Sequence, residues 1–238
     1  MLINSNHKYL AIMCTCCGKH FDVPVYCGDR FCDICSYSRH GRVRKRLGWL
    51  ISRYVPTKGS FLKHLTLTIP NQENLPKMLR SLLKAFRSLR QTAYWRNHVK
   101  GGAFVIEITG KTGSWHGHLH IVLDSTYMKW SVLRDLWIKY SGGRGVWINA
   151  IPPSQALSYL TKYLSKPEVS DQDLSEVNAS LKGFRLFQPF GTWFAVNQTY
   201  VNPPAQCSSC SSESSFITYR EVQGFGLFWH WGTNISDT

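Results

Sequence analysis

The stretch SWHGHLHIVLDS, Ser114 to Ser125, alternates so regularly that it can be little else than a strand with two different faces. Successive side chains on a strand point to opposite sides, so His118, His120, Val122 and Asp124 share one face and Leu119, Ile121 and Leu123 the other. GAFVIEITG, just before it, reads as a second strand with Ala103, Val105, Glu107 and Thr109 on one side. A hairpin closing near Thr112-Gly113 is expected to bring Glu107 opposite His120. His118 and His120 then lie about 7 Å apart at their Cα atoms. Two imidazoles and a carboxylate that leave open positions suit Mg2+ or Mn2+ carrying a substrate oxygen. His116 is a further possible ligand, and histidines without any ligand are the plainer alternative.

The neighbouring segments set the fold class. KHLTLTIP, Lys63–Pro70, alternates and is rich in Thr and Ile, a strand pattern. Ser38–Tyr54 reads as a basic helix. Pro76–Lys100 has helical spacing, with Leu79, Leu82, Leu83, Phe86 and Leu89 inward and Lys77, Arg80, Lys84, Arg87 and Arg90 outward. TYMKWSVLRDLWIKYSGG is a helix stopped by a Gly pair, and GVWINAIPP a strand ended by prolines. Strands interspersed with helices, including one antiparallel hairpin, give an α+β class: an antiparallel sheet covered by helices. The expected organisation is a cysteine module over 1–37, a catalytic domain over 38–167, and a linker with a C-terminal segment of unknown role over 168–238. Within the last, 168–180 is acidic and polar and reads as a surface loop or linker. GKTGS lacks the glycine a phosphate loop needs five residues earlier, where Val105 stands, and is set aside.

Six of the eight cysteines crowd into CTCCGKHFDVPVYCGDRFCDIC. Cys14-x-x-Cys17-Gly and Cys32-x-x-Cys35 look like two knuckles of a tetrahedral structural zinc site, with Cys27 able to replace one ligand. Nothing else in the chain suggests a secreted disulfide framework. Cys207-x-x-Cys210 is a further half-site: it could complete a second zinc with Cys16 and Cys27, or be an unpaired turn.

The net charge of +14 is unevenly spread. From Ile34 to Ile106 there are fifteen Lys and Arg and one acid, Glu73. That concentration, with Arg42, Arg44, Lys45 and Arg46 in one run, is the footprint of a polyanion binder. No apolar run is long enough to span a bilayer, and MLINSNHKYLAIMC lacks a basic leader and a cleavage site, so a soluble intracellular protein is expected.

PPSQALSYLTKYLSKP, Pro152–Pro167, reads as a short helix with Ser154 as N-cap and Pro167 as stop. Tyr159 and Tyr163 sit about 40° apart on one face, flanked by Lys162 and Lys166, while leucines anchor the other side. A tyrosine can be a covalent nucleophile when activated, and nearby cations are expected to favour phenolate and to bind phosphate. Two boundary tyrosines packing their rings are the bland alternative.

Taken together, HLTLT (His64–Thr68), HLH (His118–His120) and YLTKYLSK (Tyr159–Lys166) resemble the three ordered motifs of the HUH endonucleases, in particular the rolling-circle replication initiators of small phages and plasmids. The tyrosine pair with an intervening lysine is similar to the two-tyrosine branch, and a cysteine module of the form CxxCG…C…RFCxxC also occurs among such proteins. The resemblance implies a metal held by His118, His120 and Glu107, with His116 competing. It implies attack by Tyr163 or Tyr159, with Lys162 beside them, to give a 5′-phosphotyrosine and a free 3′-OH. The second tyrosine would rejoin strands. Lys166 and the Arg42–Arg46 run would grip DNA. Single-stranded origin DNA, a host helicase and a host polymerase are the implied partners, in the cytoplasm of a bacterial host. Rival readings are a two-tyrosine transposase, a histidine-triad nucleotide hydrolase suggested by HGHLHIV, and a non-enzymatic zinc-dependent DNA-binding regulator.

Overall fold

The computed structural model describes residues 8–25, 27, 29, 31–55, 58–163, 169–201, 205–213, 216–222 and 225–230. Its elements, in chain order, are β1 (Tyr9–Cys14), β2 (His20–Pro24), α1 (Asp33–Ser52), β3 (Phe61–Thr68), α2 (Leu75–Arg90), α3 (Ala93–His98), β4 (Val99–Lys111) and β5 (Ser114–Ser125). There follow α4 (Trp130–Ser141), β6 (Val146–Ala150), α5 (Pro153–Lys162), α6 (Asp171–Ser180), β7 (Phe187–Gly191), α7 (Thr192–Gln198), β8 (Phe216–Val222) and β9 (Phe225–His230).

They divide into two compact units: Ser36–Tyr200, and a second that joins the described residues up to Cys35 with those from Val201 onward. The boundaries differ from those the sequence suggested. Residues 169–200 belong with the larger unit, because β7 adds to the edge of its sheet beside β4.

The larger unit is an α+β structure around a five-stranded antiparallel sheet of order β6-β3-β5-β4-β7. One face is apolar throughout: Leu65 and Leu67 of β3, Phe104, Ile106 and Ile108 of β4, and Leu119, Ile121 and Leu123 of β5 are all buried. α2 packs on it with Met78, Leu79, Leu82, Phe86 and Leu89 buried, and the Phe86 ring meets Phe104 edge-on at 5.3 Å. α4 packs alongside, with Leu133 and Trp137 buried. The opposite face is divided. At one end Leu62, Ala103, Val105 and Val122 form a core with Leu47 and Leu50 of α1, Ala156 and Leu160 of α5, and Trp193 of α7. At the other end it carries the histidines.

Three segments differ from expectation for local reasons. The helix expected over Pro76–Lys100 ends at Arg90, and Thr92 starts α3 by accepting a hydrogen bond from Trp95 N, so β4 begins at Val99. The acidic stretch 168–180 contains a helix, α6, because Ser170 caps it by accepting from Asp173 N. Its acids fasten the β4–β5 turn, since the Thr112 hydroxyl lies 2.7 Å from both the Asp173 and Glu176 carboxylates. α5 begins at Pro153 with Pro152, not Ser154, at the cap, since proline's fixed φ suits the first helical position.

The smaller unit is a four-stranded antiparallel sheet of order β2-β1-β8-β9. β1 is its inner partner on both sides, pairing Met13 with His20 of β2 and Cys14 with Phe216 of β8.

Candidate active site

Strand register assembles the polar half of the sheet. In β3, His64, Thr66 and Thr68 face the same way as the β5 histidines, with Thr66 opposite His120 and Thr68 opposite His118. In β4, Glu107 pairs with His118, and Val105 pairs with His120. This corrects the expected opposition of Glu107 and His120. The turn has two residues, Thr112 and Gly113, with Gly113 at φ 84°, so Lys111 meets Ser114 and every later pair follows from that. The carboxylate nevertheless reaches His120 along the diagonal: His120 Nε2 lies 2.7 Å from Glu107 Oε2.

The surroundings favour a neutral imidazole at His118 and a charged carboxylate at Glu107. The hydrogen bond from His120 holds the Glu107 carboxyl below its ordinary range; burial opposes it, and the charge of Lys162 assists. Burial pushes His118 down to about 4. Its ring lies 4.3 Å from His116 and 6.1 Å from His120, with Nε2 3.4 Å from Thr109 Oγ1.

His64 belongs to the HLTLT motif, but no role for it is expected from sequence. It is 2% exposed, neither ring nitrogen has a hydrogen-bond partner, and burial pushes its pKa down to about 4. Its ring lies 5.7 Å from His120, 4.7 Å from Tyr159, 6.3 Å from Tyr163 and 5.5 Å from Trp147. The signal that could have found it is the same period of two: His64, Thr66 and Thr68 alternate with Leu65 and Leu67.

Both tyrosines reach this face from α5. Tyr163, at the helix C-cap, stacks flat on His120, ring centroids 3.4 Å apart and planes 2° from parallel. The expected phenolate is not favoured: burial, then the charge of Glu107, raises the Tyr163 phenol above its usual value. Lys162 Nζ lies over the Tyr163 ring, 5.5 Å from the centroid. Lys166 lies outside the described residues.

The His64 and His118 imidazoles, held low by burial, and the Glu107 carboxylate are nitrogen and oxygen donors of the kind a divalent cation takes. Among the described residues, however, the only groups whose ligand atoms draw within 4.8 Å of one another are two sets of cysteines. Cys14 and Cys17 group with Cys207 and Cys210, while Cys32 and Cys35 group with Cys27. The expected set of Cys14, Cys17, Cys32 and Cys35 is thus divided. The register that sets Cys14 beside the start of β8 connects residues about two hundred positions apart, which spacing within the N-terminal stretch could not convey. Either group could bind zinc.

Beside the tyrosines, α1 and α5 enclose a groove of about 1040 Å3 whose walls include Arg42, Arg44, Lys45, Ser158, Thr161 and Lys162. Arg46 turns aside, its guanidinium 5.3 Å over the Tyr200 ring. None of the described helices is long and apolar enough to cross a membrane.

Among known families, the model described as Replication protein matches residues 19–141, just over half of the chain. The match takes in β3, the Glu107 strand and all three β5 histidines and ends before α5. Neither the curated proteins nor the solved structures yielded a match.

Proposed function

The chain belongs to the Replication protein family, and from that premise we propose that it initiates rolling-circle replication by nicking single-stranded origin DNA with a tyrosine at the end of α5. The observation that carries the reading is the stack of Tyr163 on His120, itself bonded to Glu107: a nucleophile beside a metal-competent pair.

In this reaction the tyrosine Oη attacks the scissile phosphorus as the bond to the 3′ oxygen breaks, and the phenol's proton is lost while the departing oxygen gains one. The products are a 5′-phosphotyrosine and a free 3′-OH for a host polymerase. A cation held by His118, His120 and Glu107, with His116 at the margin, would polarise the phosphate. His64, neutral and packed against both phenol rings, positions them. Burial and the charge of Glu107 raise the Tyr163 phenol, which favours proton loss in concert with attack. We assign Lys162 to the scissile phosphate. The groove with Arg42, Arg44 and Lys45 is assigned to the flanking strand, where contacts to phosphates dominate affinity. The second tyrosine would accept the strand on rejoining, and a host helicase in the same cytoplasm would open the duplex.

The test is a covalent-adduct gel with labelled single-stranded origin DNA, with and without Mn2+, on wild type, Tyr159→Phe, Tyr163→Phe and the double variant. A Mn2+-dependent, SDS-resistant adduct that the double variant fails to form supports the nickase, and the weaker single variant names the leading phenol. DNA binding without any adduct would leave a regulator. A metal-independent adduct lost with His118→Ala would point to histidine-triad chemistry, and joining to unrelated target DNA to a transposase.

A further inference from the structure

Cys207-x-x-Cys210 and Cys14-x-x-Cys17 are the same structure built twice. In the first knuckle Gly18 N donates to Cys14 O at 2.9 Å, Cys14 N donates to Lys19 O at 2.9 Å, and Gly18 has φ 68°. In the second Ser211 N donates to Cys207 O at 2.8 Å, Cys207 N donates to Ser212 O at 3.1 Å, and Ser211 has φ 55°. Ser211 is the one non-glycine at positive φ among the described residues. A left-handed serine is disfavoured, and such a conformation persists only where its surroundings enforce it. Here it copies, without glycine's freedom, the bend that turns two sulfurs of one tight turn toward a common point.

The two knuckles meet sulfur to sulfur. Cys14 Sγ is 3.8 Å from Cys210 Sγ, and Cys17 Sγ is 3.7 Å from Cys207 Sγ. All four lie within 4.8 Å of one another. A tetrahedron with Zn–S bonds of about 2.3 Å has edges of about 3.8 Å. Disulfides would bring pairs to about 2.05 Å, far closer than the 3.8 and 3.7 Å found here. Cys16, next to Cys17, is exposed and outside the group.

We propose that Cys14, Cys17, Cys207 and Cys210 form a tetrathiolate zinc site that fastens the C-terminal segment to the β1–β2 hairpin. The site would fix the strand that continues from the second knuckle, β8, against β1, where Cys14 and Phe216 are partners. It owes nothing to the nicking reaction, so its test reads metal rather than activity.

The test uses wild-type protein purified without chelator. Its metal content is measured, and thiol alkylation is then mapped by mass spectrometry before and after a strong zinc chelator. We expect zinc, rapid labelling of Cys16 throughout, and labelling of Cys14, Cys17, Cys207 and Cys210 together, only after chelation. Independently, Cys207→Ser/Cys210→Ser should hold one zinc equivalent fewer per chain than wild type, and Cys16→Ser the same amount. Cys207 and Cys210 labelling freely while Cys14 and Cys17 stay protected would overturn the site, as would iron in place of zinc or an unchanged zinc content in the double variant.

Discussion

His64 and His118 illustrate what a buried imidazole contributes and what it costs. Each is pushed down to about 4 by burial, from an ordinary value of about 6.5. As pH falls below about 6.5 the unfolded chain takes up protons at these positions before the folded chain does, so stability present above that value is lost progressively toward pH 4. For His64, which is 2% exposed, the full difference is on the order of 3 kcal/mol. We expect the urea midpoint, without added divalent cation, to fall between pH 7.5 and pH 5. His64→Phe should lose distinctly less over the same interval, its remaining loss tracing to His118. Equal pH slopes for the two proteins would show that His64 takes up protons in the folded state as readily as in the unfolded chain.

At the scale of elements, close approaches between strands and helices are set by glycine. Gly117 interrupts the apolar face of β5, and a Cβ there would strike Met78 Sδ and Leu82 of α2. Gly102 lies on β4, where a Cβ would strike the backbone carbonyl of Val122 and Cα of Leu123. The obstacles differ in kind: a methionine side chain can turn aside, and a sheet's backbone cannot. We expect Gly117→Ala to cost about 1 kcal/mol and Gly102→Ala about 3 kcal/mol, read as thermal midpoints. Equal losses would contradict the packing of α2 on this face. Elements of this kind are legible in sequence where the alternation is strong, as in β3, β5 and α2. They are hidden where a cap decides the matter: Thr92 divides the long helix and Ser170 starts α6 inside an apparent linker.

At the scale of the whole molecule, a net charge of +14 makes binding to nucleic acid depend on salt. Arg44 and Lys45 are exposed and line the α1–α5 groove. Each phosphate contact contributes a slope of about −0.7 in log affinity against log salt for a single strand. Fluorescence anisotropy with labelled single-stranded DNA over a salt series should therefore show Arg44→Ala and Lys45→Ala each flattening that slope by about 0.7. An unchanged slope in both would take α1 out of the DNA path.

The sequence alone determined the alternating strands, the amphipathic α2, the α+β class, the basic region and the residue types of the site, because side-chain period and composition are local properties. Only the tertiary structure decided which residues meet. A two-residue turn set Glu107 beside His118 while its carboxylate reached His120, and packing buried His64 between the histidines and tyrosines. The pairing of β1 with β8 joined the two cysteine knuckles across nearly the full chain. Register and long-range pairing depend on the free energy of the assembled sheet, which no short window of residues contains.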